Sequence, residues 1–172
     1  MTLGALGQSI QSLALFSAVR ESRLVYPILL STHLASIATF GGLVLATNLR
    51  LLDWFLADVP AGVLIRALRP WKQLGFVVMI SAGVLLGGSK AAEYLTNPFF
   101  QTKMVLLSGV GIHGWLFRRQ VYRAADAALS VRTARVAAVL SIVLWLGVLS
   151  MGRWIAYYDR PEPDHAVSEA VR

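Results

Sequence analysis

Three ionisable side chains interrupt apolar stretches of the sequence: His33, Lys103 and His113. An ionisable group inside a membrane span is costly, and each of the three is therefore a candidate functional residue. At 1.5 Å per residue along a helix, His33 lies about 14 Å into its stretch, and His113 lies about 15 Å beyond Lys103. Two neutral imidazoles on different helices of a bundle are able to ligate a haem iron from both sides. The pattern therefore predicts a b-type haem with His33 and His113 as axial metal ligands and with Lys103 beside a propionate.

Two other interpretations of these histidines stay open on the residues alone. Each imidazole can instead hydrogen-bond a hydroxyl or a carbonyl of a neighbouring helix and have a purely structural role. A copper site is the third interpretation, because thioethers select Cu(I) and the chain offers Met79, Met104 and Met151 as further ligands. A c-type haem is excluded, because the chain has no cysteine for thioether attachment.

Motifs that are typical of soluble enzymes are missing from the sequence. It contains no glycine-rich phosphate loop, no HExxH, no GxSxG and no pair of carboxylates within an apolar stretch. A hydrolase or an ATP-driven pump is therefore not expected. The residues favour a protein without enzymatic activity, and the enzyme class that they would allow is a membrane oxidoreductase.

The candidate residues lie on long apolar segments. The chain has 172 residues, of which 56% are hydrophobic and 15% charged, whereas soluble domains average about 45–50% apolar and about 25% charged. Uncharged stretches cover residues 24–49, 73–89, 104–117 and 136–152. A helix that crosses a membrane needs about 20 residues. The shorter stretches reach this length when interfacial aromatic residues are counted with them, or when the helix begins at Pro98. The sequence predicts an all-α integral membrane four-helix bundle over residues 23–158, with spans at about 24–49, 71–89, 98–119 and 135–157.

The two ends of the chain differ from this apolar domain. Apolar residues recur at helical spacing within residues 1–22, which predicts a short amphipathic helix lying in the membrane interface. The tail at 159–172 carries four acids and two prolines, which predicts a disordered, solvated segment that includes His165.

The net charge of +7 is interpreted as a topology signal. The cations separate uncharged stretches instead of clustering on one solvated face, so nucleic acid is not an expected partner and the lipid bilayer is. Nine Lys and Arg residues lie in the first and third loops, against seven in the N-terminal segment, the second loop and the C-terminal region. The excess predicts that the first and third loops are cytoplasmic and that both termini lie outside.

An ordered set of short motifs runs through residues 15–123: Arg20-Glu21-Ser22-Arg23, Tyr26-Pro27, Thr32-His33-Leu34, Asn48-Leu49-Arg50-Leu51-Leu52, Arg69-Pro70-Trp71, Ser81-Ala82-Gly83 and Asn97-Pro98-Phe99-Phe100. Together these motifs resemble an uncharacterised family of small bacterial four-helix membrane proteins. The resemblance implies a multi-pass protein of the bacterial inner membrane. The family carries no established activity, and the resemblance therefore indicates architecture and not function.

A more distant resemblance rests on His33, Gly41-Gly42, Arg50-Leu51, Lys103 and His113. In this order they are similar to positions of the copper-resistance D-type membrane proteins and of the J-type protoporphyrinogen oxidases. The oxidase family binds haem b, so this resemblance implies a haem at the two histidines. The chain departs from it at Phe40, where that family carries Trp.

These observations predict a haem-binding electron-transfer subunit that works between a membrane donor and an outer-face redox partner. The alternatives are a cofactor-free structural or assembly subunit in contact with other membrane subunits, and a copper-handling membrane protein.

Overall fold

The computed structural model describes residues 2–123 and 131–158, with the side chains of 2–117 and 132–158. The predicted tail and His165 lie outside the described residues. Within the described ranges the regular structure is helical, and the helices are α1 (Leu3–Gln11), α2 (Ala14–Glu21), α3 (Val25–Leu51), α4 (Ala61–Ser89), α5 (Ala91–Tyr94), α6 (Pro98–Arg123) and α7 (Val131–Tyr158).

Three of the long helices meet the requirements for crossing a membrane. Among the described residues, α3, α4 and α7 are long and apolar enough to span a bilayer. The 26 residues of α6 give it a length of about 39 Å, but Gln101, Lys103 and His113 lower its mean hydropathy. The all-α class is therefore confirmed for the described residues, and three of its helices are consistent with a membrane protein. The count of four spans depends on α6.

The helix α4 is longer than the sequence predicts, because it begins at Ala61 and not near Trp71. Pro70 lies inside it, where its ring removes one backbone hydrogen bond, and membrane helices tolerate such a proline when neighbouring helices satisfy the freed carbonyl. Lys72 therefore lies on a continuous helix and not in a loop.

The long helices are arranged in the spatial order α4, α3, α7, α6. The largest contact surface joins α3 to α4, and α7 packs against both α3 and α6. Consecutive long helices run in opposite directions. One end of the bundle, called here the Val25 end, holds the starts of α3 and α6 and the last turns of α4 and α7. The other, called the Leu51 end, holds the end of α3 and the start of α4.

Polar side chains join the helices across these interfaces. Asn48 Nδ2 donates to Ser141 Oγ at 2.9 Å and links α3 to α7. On the other side of α3, the Nδ1 atom of His33 lies 2.9 Å from the Met79 carbonyl oxygen of α4. Lipid provides no hydrophobic drive between helices, and such hydrogen bonds together with close packing hold the bundle in one arrangement.

The N-terminal segment forms two short helices that pack on the Val25 end. Gly7 of α1 lies so close to α5 that an added Cβ would be 2.7 Å from the Ala91 carbonyl oxygen. The Gln11 side chain accepts a hydrogen bond from the Ala92 amide at 3.1 Å. From α2, the Phe16 ring rests on the backbone of Gly88. The segment is therefore docked on α4 and α5 and is not a single isolated interfacial helix.

The contact between Gly83 of α4 and His33 of α3 can be tested with a pair of matched glycine substitutions. A Cβ added at Gly83 would lie 2.9 Å from His33 Cε1, whereas one added at Gly87, a turn later, meets nothing within 4 Å. Gly83→Ala should therefore push His33 off the Met79 carbonyl and destabilise the fold by about 1–3 kcal/mol. Thermal melting in detergent should show a fall of several degrees for Gly83→Ala and none for the control Gly87→Ala. Equal melting of the two variants would contradict the contact.

Candidate functional site

His113 contacts α7 through one ring nitrogen, and its other ring nitrogen has no partner among the described residues. Its ring stacks on Phe117 with centroids 4.7 Å apart, and one ring nitrogen is hydrogen-bonded to the backbone of Ala137. The Nε2 atom is buried and has no hydrogen-bond partner among the described residues. Nδ1 therefore makes the bond to Ala137. With Nδ1–H donating to a carbonyl, the lone pair of the neutral ring lies on Nε2, which is the arrangement of a metal-binding imidazole.

A cavity of about 390 Å³ lies beside His113 in the half of the bundle nearer to the Leu51 end. Its volume is within the range of roughly 300–1,000 Å³ that is usual for small-molecule sites. All four long helices contribute to its wall: Phe40, Val44, Thr47, Asn48 and Leu51 from α3; Ile65, Arg69, Lys72, Gln73 and Phe76 from α4; His113, Gly114 and Phe117 from α6; Ala137, Ala138 and Ser141 from α7.

The cavity wall combines aromatic rings with two cations. Phe40 and Phe76 pack at 5.6 Å between centroids, and Phe117 lies on the α6 side. Arg69 and Lys72 are three residues apart on α4 and thus share a face of that helix. Such a wall suits a ligand with a flat apolar body and an anionic group.

His33 belongs to a different part of the bundle. Its Nδ1 atom faces the Met79 carbonyl, its ring packs on Gly83, and it does not line the cavity. The cavity residue of α3 nearest to it in sequence is Phe40, seven residues on, which is a separation of about 10 Å along the helix axis. His33 therefore lies nearer to the Val25 end than the cavity does.

Lys103 lies in the same half as His33. A Cβ added at Gly152, near the end of α7, would be 3.7 Å from Lys103 Nζ. The structure thus places His33 and Lys103 in the half nearer to the Val25 end, whereas His113 lies with Lys72 and Arg69 in the cavity wall. Ligation of one iron by both histidines stays a prediction, and it needs the two rings to come to one level.

The copper interpretation finds no cluster of the common ligands. The described residues contain no group of three or more His, Asp and Glu side chains with metal-binding spacing. Thioether ligation by Met79, Met104 or Met151 stays a prediction of the sequence.

Sequence reasoning misses the two cations and the phenylalanines of the cavity. The expected start of the span near Trp71 puts residues 66–72 in a loop, where cations are solvated. The available signal is the apolar run Val63-Leu64-Ile65 before Arg66, which continues the helical pattern upstream of Pro70.

One family model matches most of the chain. The profile of DUF6644, a family of unknown function, matches residues 22–158. The chain belongs to the DUF6644 family. No curated protein and no solved structure matches it, so the resemblance to an uncharacterised family is confirmed and the distant similarities to copper-resistance proteins and oxidases stay predictions.

The DUF6644 match covers α3 to α7 and leaves α1 and α2 outside it. The cavity, His33 and Lys103 all lie within the matched region. The docked N-terminal helices therefore lie outside the matched region.

A cluster of charged side chains joins α3 and α7 at the Leu51 end of the bundle. The carboxylate of Asp53 accepts hydrogen bonds from Arg50 at 2.7 Å and from Arg135 at 3.2 Å. These two guanidinium groups, Arg50 first, hold the pKa of Asp53 below its usual value of 3.8. The backbone of Asp53 has a φ of 60°, a left-handed conformation that Asp and Asn adopt more readily than other non-glycine residues.

We expect Asp53→Asn to lower the melting temperature by a small amount at neutral pH, because the cluster is exposed to solvent. A depressed pKa means that the carboxylate stabilises the fold above the pKa of the unfolded chain and that this stabilisation is lost as the pH falls. The difference between parent and variant should therefore be constant from about pH 7 to pH 5 and shrink below about pH 4. Asp58→Asn, in the same loop, is the control. A difference independent of pH would refute the pairing.

Proposed function

We propose that this DUF6644 protein is an electron-transfer subunit of the bacterial inner membrane that binds a b-type haem in the cavity, with His113 as an axial ligand. The observation that carries the proposal is the buried Nε2 atom of His113, which has no partner among the described residues while its ring is anchored to Ala137. Buried polar atoms in folded proteins nearly always have a hydrogen-bond partner, and an imidazole that lacks one and belongs to a residue of the cavity wall is a candidate ligand for a group bound there.

The residues around this atom fit a haem. Phe40, Phe76 and Phe117 offer apolar surface for a macrocycle, and Gly114 leaves the α6 backbone open beside His113. The hydrogen bond to Ala137 fixes the ring orientation and makes Nε2 more basic, as backbone carbonyls do behind metal-bound histidines. A bound haem supplies one-electron transfer at its iron, and the protein supplies the axial ligand, the apolar surroundings and the counter-charges.

His33 remains the proposed second axial ligand, with Lys103 at a propionate. In its favour, Nδ1 of His33 is engaged by the Met79 carbonyl, so its Nε2 also carries the lone pair. His33 lies nearer to the Val25 end than the cavity does, and its assignment as an axial ligand therefore has less structural support than that of His113.

Absorption spectra of the detergent-purified protein, made with ample haem supply, test the proposal. The reduced protein should show b-type α and β bands. His113→Ala should abolish haem retention or broaden the bands, because one axial bond is lost. His33→Ala should broaden them only if His33 is the second ligand, and His165→Ala is the control that leaves the spectrum unchanged.

A well-folded but colourless protein would overturn the haem proposal, and so would a His113→Ala variant with the parent spectrum. The cofactor-free structural subunit would then lead, since the contact of His33 with Met79 and Gly83 already suits a packing role. Metal analysis of the same sample would detect copper if the copper-handling alternative holds.

We propose further that α6 is a fourth span and that both termini lie outside. Its packing along α7 and its length support the crossing, since about 20 helical residues suffice. Lys103 near one end can extend its ammonium towards water.

Reporter fusions test this topology. A fusion after Asp58 and one after Ala128 should report a cytoplasmic location, and a fusion after Ala170 an external one, because Lys and Arg are in excess in the first and third loops. A cytoplasmic tail fusion would show that either the orientation or the number of spans is wrong.

A further inference from the structure

Lys72 is a cation in the cavity wall with only a hydroxyl as its described partner. Its Nζ atom donates to Thr47 Oγ1 at 3.2 Å. The ion pairs within the described ranges join Arg20 to Glu21, Asp53 to Arg50 and Arg135, and Lys90 to Glu93, so none of them includes Lys72. An ammonium has three donors, and Thr47 satisfies one.

A half-buried charge is costly unless it is neutralised. Lys72 is half-buried on α4, and the hydration that an ion loses on burial is replaced by a counter-charge and further hydrogen bonds. Asn48 and Ser141, the neighbouring polar groups of the cavity wall, are neutral and bonded to each other. Among the described residues the cavity wall therefore contains two cations, Lys72 and Arg69, and no acidic side chain.

We infer that the cavity binds an amphiphile whose carboxylate pairs with Lys72 and whose flat apolar body lies against Phe40, Phe76 and Phe117. This inference deepens the proposed function and rests on it in part, because haem b is such a ligand and its propionates would then face the Leu51 end. It differs from the sequence-based assignment of the propionate to Lys103, which lies in the other half of the bundle. The assignment to Lys72 and the assignment to Lys103 therefore predict opposite effects of substituting these lysines on ligand binding.

The test uses metal-free protoporphyrin IX, a dicarboxylic acid that cannot form an axial bond to His113. Its fluorescence measures binding to the detergent-purified protein. Loss of a charge-assisted hydrogen bond typically weakens binding by about tenfold or more, and we expect this for Lys72→Met. Lys72→Arg should restore most of the affinity because it keeps the charge. Lys103→Met tests the competing assignment of the carboxylate, and Lys90→Met, at a cation outside the cavity wall, is the matched control that should bind as the parent does.

The dimethyl ester of the same porphyrin separates charge from packing. It lacks the carboxylates, so the parent and Lys72→Met should bind it equally. Melting curves of the ligand-free variants check that each one is folded. A porphyrin affinity unchanged by Lys72→Met, or lowered equally for acid and ester, would overturn the inference, as would a loss confined to Lys103→Met.

A lipid phosphate is the other source of a negative charge near Lys72. Repeating the titration with phosphatidylglycerol or with phosphatidylcholine in the micelle distinguishes the two. If phosphatidylglycerol alone removes the difference between parent and Lys72→Met, the headgroup occupies Lys72 and the inference is wrong; an unchanged difference supports it.

His113→Ala separates this inference from the proposed function. It should abolish haem binding and spare the metal-free porphyrin. Haem binding that depends on His113 but not on Lys72 would leave the proposed function standing and overturn the inference. If the parent binds metal-free porphyrin through Lys72 but binds no haem, the inference stands and the proposed function is overturned.

Discussion

The constraint on which this structure depends is that a polar group between apolar helices must find its partner inside the protein. Water is absent from the hydrocarbon core, and an unsatisfied donor or acceptor there costs several kcal/mol. Three polar contacts of α3 meet this requirement: Asn48 with Ser141, Lys72 with Thr47, and His33 with the Met79 carbonyl. They join α3 to α7 on one side and to α4 on the other, and α3 thereby occupies the interior of the helix order.

Close packing acts together with these contacts. Gly75 brings α4 against Phe40, where an added Cβ would be 3.3 Å from the Phe40 Cβ, and Gly147 brings α7 against Leu106 at 3.2 Å. Small residues let helix backbones approach where lipid gives no hydrophobic advantage to association. The same device docks the N-terminal helices, through Gly7 and Gly88, although those helices lie outside the region that matches the DUF6644 family.

In the cavity wall, two polar groups lack a hydrogen-bond partner or a counter-charge among the described side chains. The Nε2 atom of His113 lacks a partner, and Lys72 lacks a negative one. Both residues line the same space, together with three phenylalanines. One ligand with an electron-accepting centre and an acidic edge would complement both groups at once, and the two proposals therefore refer to the same cavity.

Much of the architecture follows from the sequence alone, because helix formation and membrane insertion depend on local composition. The apolar stretches predict the crossing helices α3, α4 and α7, and the Asn97-Pro98 pair marks the start of α6, where Asn97 Oδ1 accepts from the Phe99 amide at 2.9 Å. Ionisable residues inside apolar stretches also identify His33 and His113 as candidates. Tertiary structure alone decided which helices are neighbours and at which level each side chain lies. Periodicity does not specify the partner of a helix face, and so only the packing separates His33 from His113, joins His113 to the Ala137 backbone, and brings Lys72, on a helix extended past Pro70, into the cavity wall.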